Sequence, residues 1–292
     1  MTASRGRPHG YRDRRERRRP LARAVKRGRW FAPALVVALA LALAFLTLPV
    51  VAIFVRTSPG NLIGALDDPG VLDALWLSLR TTLLALAIIV LVGTPAAYLL
   101  ATRTFRGHAL VVTLVELPLV LPPAVAGVGL LAALGPAGIV GGYIADTGVR
   151  LALETAGVVV ALTFVAAPFF IRGAQTAFAA VDRSWLEASR TLGASEARTF
   201  ARIAVPAAAP GMLAGLALAW GRAVGEFGAT LIFAGSFRGR TQTAPLAIYE
   251  RLGTDFDAAL ALSAVLVVVS GTLLLSAKLL GGQGTEMLRA AR

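Results

Sequence analysis

Apolar runs long enough to cross a bilayer recur along this chain, and no other feature narrows its fold as far. About 20 helical residues span the roughly 30 Å of hydrocarbon in a membrane. Six stretches read as spans: about Trp30 to Val55, Thr81 to Ala101, Ala109 to Ala133, Thr155 to Ile171, Ala207 to Phe233 and Ala258 to Ala277. The fourth is short and runs into a cytoplasmic loop that extends through Ala180. A chain that is 57% hydrophobic and only 15% charged is too apolar to hide its surface in one soluble core. Lipid offers the backbone no hydrogen bonds, so an all-α, polytopic membrane protein with six transmembrane helices is expected. The third span contains Glu116 and the proline cluster Leu117 to Pro123, which predicts a kinked or interrupted helix. The sixth is bounded by Asp257 and Lys278.

Orientation follows from the basic residues, because positively charged loops stay in the cytoplasm. Residues 1–29 hold twelve Lys and Arg against Asp13 and Glu16. Both termini are therefore expected inside. Arg103 and Arg106 follow the second span, and Arg172, Arg183, Arg190, Arg198 and Arg202 the fourth. The opposite side is acid-rich, with Asp67, Asp68, Asp73, Asp146, Glu154, Asp255 and Asp257. The organisation expected is a disordered, basic cytoplasmic arm over 1–29, a six-helix membrane domain over 30–280 and a short cytoplasmic tail over 281–292. The net charge of +13 sits mostly in the arm, where it attracts anionic lipid headgroups at about 1 kcal/mol per residue. Nucleic acid is not expected as a partner. The first span is too long for a cleaved signal and is expected to remain as an anchor.

The chain has no cysteine, which excludes disulfides, thiolate metal sites and cysteine nucleophiles. His9 and His108 have no metal or triad partners nearby, so neither a metal site nor a catalytic residue is expected. No phosphate-binding glycine loop of the GxxxxGK[ST] type occurs. A cycle run on ATP would need a second chain to bind the nucleotide.

Residues 182–206 form a polar island between apolar runs. Ser184-Trp185-Leu186-Glu187 fits a capping box, predicting a helix that starts at Ser184. Gly193 is placed to close that helix in the left-handed conformation, Ser195 to cap a second one, and Pro206 to start the next span. The result is a helix-turn-helix hairpin on the cytoplasmic side, a docking surface rather than a catalytic centre.

Farther on, Arg222 and Glu226 lie four residues apart inside the fifth span and can pair. Two readings fit them: mutual neutralisation within the bundle, or a role in gating. Gly211 and Gly215, and then Gly221, Gly225 and Gly228, remove bulk along the same span, which predicts close helix approach at a dimer or pathway seam. Desolvating an unpaired dianion is prohibitive, so a route for one needs N–H groups, hydroxyls or positive helix ends. The proline cluster, these glycines and Thr230 are the candidates.

Two sets of residues carry a resemblance. Glu187-Ala188-Ser189, Gly193, Ile203, Val205 and Pro206 fall at the spacing of the EAA loop of bacterial ABC importer permeases, with Ser189 in place of alanine and Val205 in place of leucine. Gly225-Glu226-Phe227-Gly228-Ala229-Thr230, Ala234-Gly235, Gly239 to Thr243, Pro245-Leu246 and Ile248-Tyr249 resemble the molybdate and tungstate branch, related to sulfate permeases. Ser236-Phe237-Arg238 departs from that branch's asparagine-containing turn. The resemblance spans about residues 60–280. It implies a type I ABC importer permease fold with a cytoplasmic coupling hairpin, in a homodimer in the bacterial cell membrane. Its partners would be an ABC ATPase dimer that binds ATP and Mg, an extracytoplasmic oxyanion-binding protein and lipid, with no cofactor in this chain.

The function implied is import of molybdate or tungstate by ATP-driven alternating access, with sulfate or thiosulfate as the alternative cargo. The ATPase-coupling residues implied are Glu187, Ala188, Ser189, Leu192, Gly193, Ala194, Ile203 and Pro206, and Leu186 is expected to add apolar contact. The pathway residues expected are Pro122, Pro123, Arg222, Glu226, Phe227 and Thr230. An ion-coupled carrier would have only Glu116 and Glu226 for a relay, and a membrane enzyme would need a polar cluster that the sequence lacks.

Overall fold

The computed structural model describes the backbone of residues 31–290, and side chains through Ser276 apart from Leu273. The expected arm and Trp30 lie outside the described residues. Two units are distinguished, Met1–Pro49 and Val50–Arg292.

The elements are α1 (Phe31–Arg56), α2 (Pro59–Asp67), α3 (Pro69–Thr102), α4 (His108–Val120), α5 (Pro123–Leu134), α6 (Gly141–Asp146), α7 (Thr155–Ala179), α8 (Arg183–Thr191), α9 (Glu196–Thr199), a π-helical turn (Phe200–Ala204), α10 (Val205–Val224), α11 (Gly228–Ala234), α12 (Ala244–Leu252) and α13 (Phe256–Ala290). Among the described residues no strand occurs. Five helices are long and apolar enough to span a membrane, or six when α4 and α5, bent by 117° at their junction, count as one interrupted span. The break falls where the proline cluster predicts it. Leu121, preceding a proline, is extended at ψ 129°, and Pro122 and Pro123 have no N–H to continue α4.

Several boundaries differ from the expectation. α3 begins at Pro69, not Thr81, because Asp68 caps it, accepting from Gly70 N at 2.7 Å. Asp73 and Arg80 hide this extension from a reading of hydropathy, yet Val71, Ala74 and Leu77 are buried. α7 runs through Ala179, so Arg172 belongs to a membrane helix and not to the loop; it pairs with Glu116 of α4 at 2.7 Å. The helical backbone of α13 continues past Lys278, since a charge can end a membrane span without ending a helix.

Within the second unit, α7 packs between α3 and α10, and Ala166, Phe170, Ala174 and Phe178 fill the centre of the largest core. In lipid, close packing rather than water exclusion drives such contacts. A Cβ on Gly173 would lie 2.7 Å from Gly215 Cα, and one on Gly211 would lie 2.5 Å from Ala177 Cβ. The Gly211 and Gly215 pair therefore builds a seam inside the chain, between α10 and α7. A second core joins α5, α7 and α11 through Ala126, Leu130, Val165 and Phe233.

Candidate functional site

The polar island folds as a hairpin. Asp182, not Ser184, caps its first helix, with Oδ1 accepting from Ser184 N at 2.9 Å. A carboxylate two residues upstream takes the N–H first, so the capping box read at Ser184 does not form. At the far end Gly193 is left-handed at φ 83°. Its N–H donates to Arg190 O at 2.9 Å, and Ala194 N–H donates to Ser189 O at 3.1 Å, the paired bonds of a Schellman stop. Ser195 caps α9, accepting from Arg198 N. Ser189 Oγ lies 2.9 Å from Thr199 Oγ1, and Glu196 bridges Arg103 at 3.0 Å and Arg190 at 3.4 Å, which fastens the hairpin to itself and to the end of α3.

The expected coupling residues divide accordingly. Glu187, Ala188, Gly193 and Leu192 are exposed, Leu192 by 88%. Ser189 and Ala194 are half-buried within the hairpin, Ile203 packs against the main core and Leu186 is buried in it. Pro206 is exposed in the first turn of α10, where the next span was expected to start, but no new helix begins there: one helix runs unbroken from Glu196 to Val224, with the π-helical turn just before the proline. Sequence reasoning passed over Trp185, half exposed on α8, and a 250 Å³ cavity lined by Arg103, Arg183, Glu187 and Arg190. The strongly amphipathic spacing of residues 183–191 is the signal that marks Trp185 as an outward aromatic.

The second part of the site is a meeting of two broken helices. The fifth span was expected to run through Phe233, but α10 stops at Val224, and α11 starts at Gly228. Glu226 causes the stop: its Oε1 accepts from Ala229 N at 2.7 Å, capping α11 from outside, and Gly225 just before it has low helix propensity. Arg222 Nη1 lies 2.5 Å from Glu226 Oε2, an ion pair across the gap. That contact lies off the line of a hydrogen bond, so Oε2 has a counter-charge but no aligned donor. Glu226 is fully buried, with Arg222 as its counter-charge.

The two breaks touch. A Cβ on Gly228 would sit 2.8 Å from Pro123 Cβ, and one on Gly127 would sit 2.8 Å from Ile232 Cβ. The first turns of α5 and α11 thus abut, and helix starts carry free N–H groups and partial positive charge. Pro122 and Pro123 are exposed there and Phe227 is half-buried, its ring 4.9 Å from that of Tyr249. Thr230 is buried, its hydroxyl without a partner. All six expected pathway residues therefore lie on the segments that form this junction.

The Gly239 to Tyr249 stretch is a brace beside it. Phe237 O accepts from the N–H groups of Arg240, Thr241 and Gln242 at 3.1, 2.9 and 3.0 Å, and Thr241, Gln242 and Thr243 are buried. Arg240 Nε donates to Glu154 at 2.8 Å, and Ala244 N to Ser78 Oγ at 2.7 Å, tying the loop to the start of α7 and to α3. Among the described residues no His, Asp and Glu group is placed to hold a metal.

The family model described as "Binding-protein-dependent transport system inner membrane component" matches residues 93–280. The chain is 40% identical over 231 residues to the molybdenum transport system permease protein ModB of Mycobacterium tuberculosis (strain ATCC 25618 / H37Rv), covering 79% of this chain and 88% of that one. It is 40% identical to a probable molybdenum ABC transporter permease protein of Haloferax volcanii, covering 80% and 84%. Among solved structures it resembles a bacterial ABC transporter involved in the import of the acidic polysaccharide alginate, with TM-score 0.71, 17% identity and 87% and 96% of the two chains covered. The methionine ABC transporter MetNI, captured in inward-facing conformations, gives TM-score 0.52 at 18% identity, with 76% and 96% covered.

Proposed function

The chain belongs to the family of binding-protein-dependent transport system inner membrane components, and on that premise we propose that it carries molybdate, or tungstate, into the cytoplasm. It is the multi-pass permease subunit of an ABC importer, with the type I fold, and ATP is hydrolysed by a separate subunit. Two copies would form the membrane channel, with lipid around them and both termini in the cytoplasm. An ATPase dimer holding ATP and Mg would engage the two hairpins, and an extracytoplasmic binding protein would deliver the anion. This chain would hold no cofactor.

The observation that carries the proposal is the continuity of one helix from hairpin to junction. Ser195 caps it, Glu196 to Val224 run without interruption, and Gly225 to Phe227 break it against α5. A pull on the exposed hairpin face, Glu187, Ala188, Leu192 and Gly193, moves the Arg222–Glu226 pair at the other end of the same rod. ATPase closure would tilt that rod and open the junction outward; the first turns of α5 and α11 and the Thr230 hydroxyl would then face the dianion released by the binding protein. Nucleotide release would return it inward. A buried dianion needs N–H and hydroxyl groups along its route rather than one tight site; the Thr230 hydroxyl and the N–H groups of the two helix starts that Glu226 and the prolines leave free would supply them. The molybdenum assignment rests on the named relatives.

Uptake of labelled molybdate and sulfate in cells lacking the chain, with and without its restoration, tests the reading. Restored molybdate uptake that excess sulfate leaves unchanged is expected. Restored sulfate uptake without molybdate would overturn the cargo, and uptake that survives ATP depletion but not loss of the ion gradient would overturn the mechanism.

A further inference from the structure

The buried face of the Glu196–Val224 helix does not keep a constant step. Ala204, Ala208, Met212, Gly215, Ala219 and Ala223 follow one another by four, four, three, four and four residues, the spacing of an α-helix with one face inward, and Met212 is the half-buried member. Between Thr199, which is also fully buried, and Ala204 the step is five. At about 100° per residue, five residues of α-helix would leave Thr199 roughly 140° away from the line of Ala204. The π-helical turn Phe200–Ala204, closed by Val205 N–H donating to Phe200 O, absorbs the extra residue and returns Thr199 to the buried face. There its hydroxyl meets Ser189 at 2.9 Å, and the Phe200 ring lies 4.8 Å from Tyr98 and 6.2 Å from Phe178.

Pro206 stands just beyond that turn. In a plain α-helix its missing N–H would have bonded Arg202 O, and its ring would collide with that carbonyl. Other prolines of this chain, Pro168 and Pro210 among them, sit inside α-helices, so the α register through Arg202 is costly rather than closed, and the wider turn avoids that cost. We infer that Pro206 is a positioning residue: by disfavouring the α register next to a step of five it fixes the rotation of the hairpin on α10, so that force applied to the hairpin reaches the Gly225–Phe227 break in one defined direction. The inference deepens the coupling role proposed above and rests on it. Downstream, α10 has no freedom to make up a wrong rotation, because Gly211 and Gly215 are locked against Ala177 and Gly173.

The absence of cysteine makes the test direct. Arg103→Cys and Glu196→Cys, replacing an ion pair of 3.0 Å between the end of α3 and the hairpin, are joined by a short bifunctional thiol reagent, and the link within one chain is quantified. The reconstituted complex is assayed in parallel, without the cysteines, for molybdate moved per ATP hydrolysed. Pro206→Ala opens the α register, turning the hairpin by about 100° on α10. The link yield and the transport per ATP are each expected to fall at least threefold, while the ATPase still co-purifies. Deleting Ala201 in the Pro206→Ala chain leaves a plain α-helix with a four-residue step and the original facing. Both readouts are expected to return to within twofold of the parent. An unchanged link in Pro206→Ala, or a deletion that does not restore it, would overturn the inference; so would a changed link with unchanged transport per ATP. If the parent complex itself moves no molybdate, the proposed function fails instead, and the link yields alone decide the register.

Discussion

Replacing Glu226 by Gln, alone and together with Arg222→Gln, separates the two readings of the intramembrane pair. The carboxylate side chain is 1% exposed and that of Arg222 is 28% exposed. Removing one partner of a fully buried pair costs about 3–5 kcal/mol, chiefly by stranding the other charge. Arg222 is only partly buried, and Gln keeps an oxygen for Ala229 N, so Glu226→Gln is expected to cost about 2 kcal/mol, below that range. That is roughly a 30-fold shift in the unfolding equilibrium. Glu226→Ala also loses the cap on α11, for about 1 kcal/mol more. Arg222→Gln with Glu226→Gln removes both charges and is expected within about 1 kcal/mol of the parent. The assay is unfolding in mixed detergent micelles followed by reconstituted uptake. Mutual neutralisation predicts that the double variant regains both stability and transport; a gating role predicts regained stability with transport still lost. A Glu226→Gln protein within about 0.5 kcal/mol of the parent would refute the reasoning from burial.

Gly193→Asp forces a side chain into φ 83° where no atom lies within 4 Å, so its cost is backbone strain of about 1 kcal/mol plus a charge on the docking face; the chain is expected to insert normally but to co-purify with far less ATPase. Thr230→Val removes a buried hydroxyl that has no partner here, and is expected to raise stability by about 1 kcal/mol while slowing molybdate uptake, measured as initial rate. Gly215→Leu drives a side chain into the Gly173 backbone, where a Cβ alone would stand 3.2 Å from its Cα, and should cost well over 1 kcal/mol, read as loss of folded protein after detergent extraction. Leu218→Ala, on the exposed face of the same helix, is the matched control and should behave as the parent.

Hydropathy located the spans because lipid imposes one demand on every residue inside it, and the ends it missed are those set by single polar atoms. Asp68 extends α3, Asp182 moves the start of α8, and Glu226 divides what reads as one span into α10 and α11. A charge inside an apolar run reads as a cost; that it also caps a helix emerges only when a neighbouring N–H is placed against it. The hairpin was legible because Gly193 and Ser195 act locally, through bonds to residues within five positions. The glycine pair at 211 and 215 shows the reverse: its spacing announces a close approach without naming the other helix, which is α7 of the same chain. The π-helical turn was hidden for a third reason. Pro206 marks both a helix start and a widened turn, and only the five-residue step from Thr199 to Ala204 tells them apart.

The coupling claim is tested most directly at Leu192, 88% exposed at the hairpin's turn. A single cysteine there, in a chain that otherwise has none, carries a photoreactive label into the assembled importer. Illumination is expected to link the chain to the ATPase subunit, with a yield that changes on adding nucleotide, and the thiol should be reached only from the cytoplasmic side of sealed vesicles. Labelling from the opposite side, or a hairpin that links to no second protein, would contradict it.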